Sequence, residues 1–140
     1  MSHQCKSILI HCMDFRLMKA TKQWMEKQGY MGDCDVVSLA GASKELVDGS
    51  EQVRDLIMKQ IKVSYELHGA RQVILLHHSD CGAYKLSYNF ASPEQEKEKQ
   101  LEDTKKASDL ILKIFPDINI ITIWAQLLDP SGEEVKFNQI

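Results

Sequence analysis

The chain has 140 residues, of which 44% are hydrophobic and 26% charged, with a formal net charge of −3 and a pI near 5.9. That length suits a single domain spanning residues 1–140, which buries roughly two-thirds of its unfolded surface and needs no disulfide framework. The acidic balance offers nothing to a polyanion and no stretch approaches the ~18 apolar residues of a membrane helix, so neither nucleic acid nor membrane is an expected partner.

The N-terminal "MSHQCKSILIHCMDF" carries no signal-peptide pattern, so a cytoplasmic location is expected. Thiols stay reduced in that compartment. Cys5, Cys12, Cys34 and Cys81 therefore read as ligands, nucleophiles or core fillers.

"KSILIHC" (6–12) is a short Ile-rich run that suits a buried strand. A helix over 17–29 follows, with Leu17, Ala20, Thr21, Trp24 and Met25 at helical spacing and Gly29 as its C-cap. "CDVVSLAG" (34–41) predicts a second strand ending in a glycine turn. The segment 50–69 predicts a helix with Ser50 as N-cap, Gly69 as stop, and Val53, Leu56, Ile57, Ile61 and Tyr65 on one stripe. "RQVILLHH" (71–78) is the clearest buried strand. The charge-rich stretch 92–106 reads as a solvated loop running into a helix that turns Ala107, Leu110, Ile111 and Ile114 inward and stops at Pro116. A fourth strand (118–129), a "PSG" turn and a short final strand complete the chain. Alternating strands and helices predict an α/β fold: a mainly parallel sheet of four strands plus a short fifth, with helices on both faces.

In such open sheets, ligands bind beyond the carboxyl ends of strands, where the strand order reverses. The first strand ends in "HCMDFR", which places Cys12, Asp14 and Arg16 at alternate positions, on one face if the chain stays extended. His78 and Cys81 leave the third strand, which neighbours the first in the usual doubly wound order. Two thiolates and a neutral imidazole suit Zn²⁺, and three protein ligands leave a fourth position for water. Zinc lowers the pKa of bound water to about 7. Asp14 can either close the site as a fourth ligand or, held by Arg16, orient the attacking oxygen.

"CMDFR" followed by "HSDCG" resembles the C-x-D-x-R and H-x-x-C-G signatures of the β-class carbonic anhydrases. "VVSLAGA", "VILLHHSDCGAY" and "IWAQLLDPSGEEVKF" extend the similarity over most of the chain, especially to small bacterial members. The resemblance implies one Zn²⁺ per chain on Cys12, His78 and Cys81, with Asp14 and Arg16 as the catalytic dyad. It implies reversible hydration of CO₂ to bicarbonate, and a homodimer or dimer of dimers. Ala40, Gly41 and Gly82 are then expected at the substrate pocket. Ser38 and Leu39 stand where the family usually has Arg-Asn, and with the first strand predicted from residue 6 the family's helical arm is not expected here.

Other chemistries fit less well. A C-x₅-R phosphatase needs Arg at position 18 or 87, where Met18 and Ser87 stand, and there is no C-x-x-C redox motif. The remaining rivals are a zinc hydrolase of carbonyl sulfide or carbon disulfide, and a non-catalytic zinc-binding protein. His77 and His11 read as structural, His3 and His68 as solvated. Cys5 and Cys34, the tryptophans and the methionines read as core.

Overall fold

An apolar run with no polar alternation can bury both its faces only at the middle of a sheet. In the computed structural model, which describes residues 2–140, β1 (Ser7–Cys12) occupies that place and is buried along its whole length. β2 (Cys34–Leu39) and β3 (Gln72–His78) flank it in parallel, and β4 (Asn119–Leu127) pairs in parallel with β3. β5 (Val135–Gln139) runs antiparallel to β4 at the edge. The order β2-β1-β3-β4-β5 is the expected four parallel strands and short fifth. It puts the switch point between the carboxyl ends of β1 and β3.

Strand alternation divides the core into two layers. On one face, Leu9, Ile74, Leu76, Ile123 and Ala125 pack against Leu17 and Met25, around α1 (Met18–Gln28). On the other, Ile8, Ile10, Val73 and Leu75 meet Leu46 of α2 (Lys44–Asp48) and Ile57 and Ile61 of α3 (Glu51–Leu67). Ala107 and Ile111 of α5 (Pro93–Ile114) join that second face. A short helix, α4 (Gly82–Ser87), leaves the end of β3. Gly29 caps α1 with φ +77°, and the Ser50 hydroxyl accepts the Val53 N–H at the start of α3, both as the sequence predicts.

Several expectations are corrected. Val53 and Leu56 face solvent, because the buried stripe of α3 runs through Ile57, Ile61 and Ser64. Most methionines are not core: Met13, Met18 and Met31 are exposed and only Met25 is fully packed, while Met1 lies outside the described residues. Trp124 is buried, and half-buried Trp24 stacks on Phe137 at 5.4 Å between ring centroids. The stretch 92–106 is not a loop: Ser92 caps a helix that begins at Pro93 and runs 22 residues. Its inward face continues to Phe115 rather than Ile114, which is 56% exposed, and Leu110 is half-buried.

The reason is that the first half of α5 buries polar side chains: Glu96, Gln100, Asp103 and Thr104. Glu96 Oε1 accepts the Cys81 N–H at 2.8 Å and a Gln100 amide N–H at 2.9 Å. Gln100 also donates to the His78 carbonyl at 2.8 Å and accepts His77 Nδ1–H at 3.0 Å. Asp103 accepts the Tyr84 hydroxyl at 2.9 Å and pairs with Lys99 at 2.9 Å. Each of these four α5 side chains thus has a partner, Thr104 donating to the Leu101 carbonyl, as low-dielectric surroundings require.

Urea titrations of three variants check this packing. Ile111→Ala is expected to cost about 2–5 kcal/mol and Ile114→Ala less than about 0.5 kcal/mol; equal losses would contradict the inward face. Gln100→Leu strands the His77 N–H and the His78 carbonyl, with an expected penalty of roughly 1–3 kcal/mol for each unpaired group.

Candidate metal centre

The carboxyl ends of β1 and β3 lie side by side, and the chain turns sharply after each. Cys12 is the last residue of β1 and His78 the last of β3. Asp80, at φ +58°, folds the backbone back so that Cys81 becomes the N-cap of α4. The ligand atoms of Cys12, His78 and Cys81 all lie within 4.8 Å of one another, and the three residues are only 5%, 1% and 1% exposed.

The cluster has the chemistry of a cation site. His78 donates Nδ1–H to the Ser79 carbonyl at 2.8 Å, which fixes the tautomer and leaves a lone pair on Nε2. That Nε2 is buried and has no hydrogen-bond partner among the described residues. The Cys12 thiol is held far below its ordinary value, first by hydrogen bonding from Cys81 and then by His78 and the Gly41 N–H, against burial. Cys81 is pushed well up, by the same contact with Cys12 and by burial. Two buried sulfurs and an orphaned imidazole nitrogen fit the donor set that zinc prefers.

Asp14 and Arg16 reach the same spot by a different route from strand alternation. β1 ends at Cys12, and Asp14 instead N-caps a 3₁₀ turn, Phe15–Leu17. Asp14 Oδ1 accepts Arg16 backbone N–H at 3.0 Å and Nε–H at 3.1 Å, and Oδ2 accepts Nη2–H at 2.7 Å. The guanidinium holds the Asp14 carboxyl below the usual carboxylate range. Asp14 Oδ2 stands 4.0 Å from His78 Nε2, so the carboxylate borders the cluster while Arg16 engages both its oxygens.

Two residues that sequence reasoning passed over complete the arrangement. Asp80 accepts Arg16 Nη1–H at 2.9 Å through its side chain and Nη2–H at 3.0 Å through its carbonyl, and it pairs with Lys85. Gly132, at φ +78°, lies so close over Arg16 that a Cβ there would fall 2.2 Å from the Arg16 carbonyl oxygen. The "PSG" turn was visible in the sequence, but not that it packs on Arg16. Asp80 sits inside the H-x-x-C spacing, and its acidic side chain was the available signal.

A cavity of about 580 Å³ opens above the cluster, lined by Phe15, Ala40, Gly82 and Ala83 beside Asp14 and Arg16. Gly41 lies behind it. Its N–H points to Cys12 Sγ at 3.5 Å, and a Cβ there would meet Lys44 Cβ at 2.9 Å.

His77 faces away from His78, bonded to Ser43 Oγ at 2.7 Å and to Gln100. Burial lowers it to about 4. His11 is buried beside Cys12 and lowered by burial. His68, expected in solvent, is half-buried with Nδ1 2.6 Å from Asp35, whereas His3 is exposed. Cys5 and Cys34 are half-buried rather than core, and burial pushes Cys34 up to about 12.

Comparison with known proteins gives the family and the fold. A family model described as "Putative carbonic anhydrase" matches residues 2–134. A protein of Rickettsia bellii (strain RML369-C), itself uncharacterized, is 35% identical over 124 residues, covering 86% of this chain and 76% of that one. The tetrameric β-carbonic anhydrases of Sordaria macrospora share the fold with a TM-score of 0.60 at 12% identity, over 99% of this chain and 84% of theirs. The apo form of a carbon disulfide hydrolase shares it with a TM-score of 0.50 at 16% identity, over 90% and 76%. No helix among the described residues is long and apolar enough to cross a membrane. The strand order, the paired motifs and the match across nearly the whole length together show that the chain belongs to this carbonic anhydrase family.

Proposed function

We propose that the protein is a zinc-dependent carbonic anhydrase that interconverts CO₂ and bicarbonate, with Cys12, His78 and Cys81 holding the metal. The observation that carries this reading is the buried, partnerless His78 Nε2 beside two buried sulfurs, with the Asp14–Arg16 pair at the same strand end. Bound there, zinc supplies a water activated near neutral pH.

The chain's own residues do the rest. Arg16 fixes Asp14 through paired hydrogen bonds, and Asp80 fixes Arg16 in turn. Asp14 stays ionised and acts as an acceptor that orients the nucleophile's proton away from the carbon under attack. Phe15, Ala40, Gly82 and Ala83 give the cavity an apolar side suited to CO₂. The Gly41 N–H and the Glu96 carboxylate hold the Cys12 sulfur and the Cys81 backbone in place.

A homo-oligomer fits the surface. β2 is an edge strand with Val36 52% exposed, and Phe15 at the cavity mouth is 84% exposed. A second copy would cover both. The proposed compartment is the cytoplasm.

The tests separate metal, reaction and dyad. Protein purified under reducing conditions with zinc is expected to hold zinc at this centre and lose it in Cys81→Ser; metal-free wild type would end the reading. Stopped-flow CO₂ hydration from about pH 6.5 to about pH 9, across the range where zinc-bound water ionises, is expected to show a zinc-dependent rate. No rate with CO₂ but turnover of carbonyl sulfide or carbon disulfide would reassign the substrate. No rate with any of them would leave a binding protein. Arg16→Ala should keep the metal and slow hydration about 10²-fold, because a misplaced carboxylate orients poorly. Unchanged activity would remove the dyad from the mechanism.

A further inference from the structure

A second set of donors converges at the opposite end of the sheet. Cys5 precedes β1, Asp35 lies near the start of β2, and His68 follows α3. Cys5 Sγ is 3.5 Å from Asp35 Oδ2, and His68 Nδ1 is 2.6 Å from the same oxygen. One ligand atom from each of the three lies within 4.8 Å of the others. Ser64 anchors the carboxylate, donating to Oδ2 at 2.7 Å. His3 stands behind His68, with 2.9 Å between their Nε2 atoms.

We propose that Cys5, Asp35 and His68 form a second metal site, which takes Zn²⁺ through Sγ, Oδ2 and Nδ1.

Bond lengths support the geometry. Zinc bonds of about 2.3 Å to sulfur and about 2.0 Å to oxygen at a tetrahedral angle set the two donors about 3.5 Å apart. Cys5 and Asp35 already have that separation. The same bond lengths ask for about 3.3 Å between nitrogen and oxygen, so the His68 ring has to withdraw by less than an ångström. Its present contact carries a ring proton aimed at Oδ2, while the single proton of the Cys5 thiol is shared in reach between Oδ2 at 3.5 Å and the Ser7 carbonyl at 3.4 Å. A dication takes the place of the ring proton, and the sulfur gives up its own.

The protons and charges balance. The thiol proton passes to solvent, and the ring proton leaves Nδ1 and is regained at Nε2. From Nε2 the ring then donates to His3, the outer partner that a metal-bound imidazole usually has. One thiolate and one carboxylate neutralise Zn²⁺, and the imidazole adds no charge. Cys5 and His68 also line a surface depression of about 760 Å³, which gives the ion a path from solvent and leaves a coordination position for water. The set joins three segments that no disulfide links, since all four cysteines are free.

Equilibrium dialysis of the full chain against zinc, in reducing buffer, tests the site. Wild type is expected to saturate at two ions per chain, and both Cys81→Ser and the double variant Cys5→Ser/His68→Ala at one. CO₂ hydration should be unchanged in the double variant. Asp35→Asn, which keeps the shape and removes the charge, should weaken the second ion at least tenfold and serves if the double variant does not fold. Cobalt-loaded wild type should lose part of its thiolate-to-metal absorption on Cys5→Ser. Saturation of wild type at one ion, lost in Cys81→Ser, would overturn the second site while leaving the first. Retention of two ions in the double variant would overturn it as well.

Discussion

Everything at the proposed active centre depends on the parallel pairing of β1 with β3. The register aligns His11 with Leu76, so both strands run out at the same edge of the sheet and deliver Cys12 and His78 together. Both strands are interior and sealed by helices. A sulfur or an imidazole nitrogen placed there has no water to satisfy it. The pairing of β1 with β2 then brings the "LAGA" turn alongside, where only a residue without a Cβ lets the backbone N–H approach Cys12. One pattern of strand hydrogen bonds therefore places the donors of the proposed metal centre and much of the cavity floor.

Held positions matter as much as proximity. The backbone of His78 and Cys81 is fastened from behind by Gln100 and Glu96 of α5. From the front, Arg16 ties the end of β1 to Asp80 in the loop after β3. The first device is buried and satisfied by neutral and charged hydrogen bonds; the second is a partly exposed ion-pair network. Together they let Asp14 stand at the rim of the cluster with both oxygens engaged by one guanidinium. A carboxylate held in this way keeps its charge and its direction.

The fold exposes chemistry at both ends of its strands. Six residues lie between Cys5 and Cys12, and the seven steps of extended chain span roughly 23 Å. The two clusters are too far apart to share a ligand. The inner one is sulfur-rich and sealed, suited to an ion that stays; the outer one mixes sulfur, nitrogen and oxygen and is half-open. Parallel strands make this possible because every carboxyl end lies on one side and every amino end on the other.

The order of elements was legible in the sequence, because hydrophobic period and glycine punctuation are local properties. So were the donors at the proposed centre, since Cys12, His78 and Cys81 sit where apolar runs stop. The buried polar face of α5 was not legible: periodicity is read from apolar residues, and Glu96, Gln100 and Asp103 look like solvated positions until β3 supplies their partners. The stripe of α3 was misplaced for a related reason, as Val53 and Leu56 are apolar but have nothing to pack on. Asp14 and Arg16 were paired for the wrong cause, strand alternation instead of a capped 3₁₀ turn. What the sequence determined by itself was the fold class and the residues of the proposed centre. The tertiary structure decided which polar groups are buried, which carboxylate meets which cation, and that Asp35 and His68 meet Cys5. Those depend on contacts between residues far apart in the chain, which local patterns do not encode.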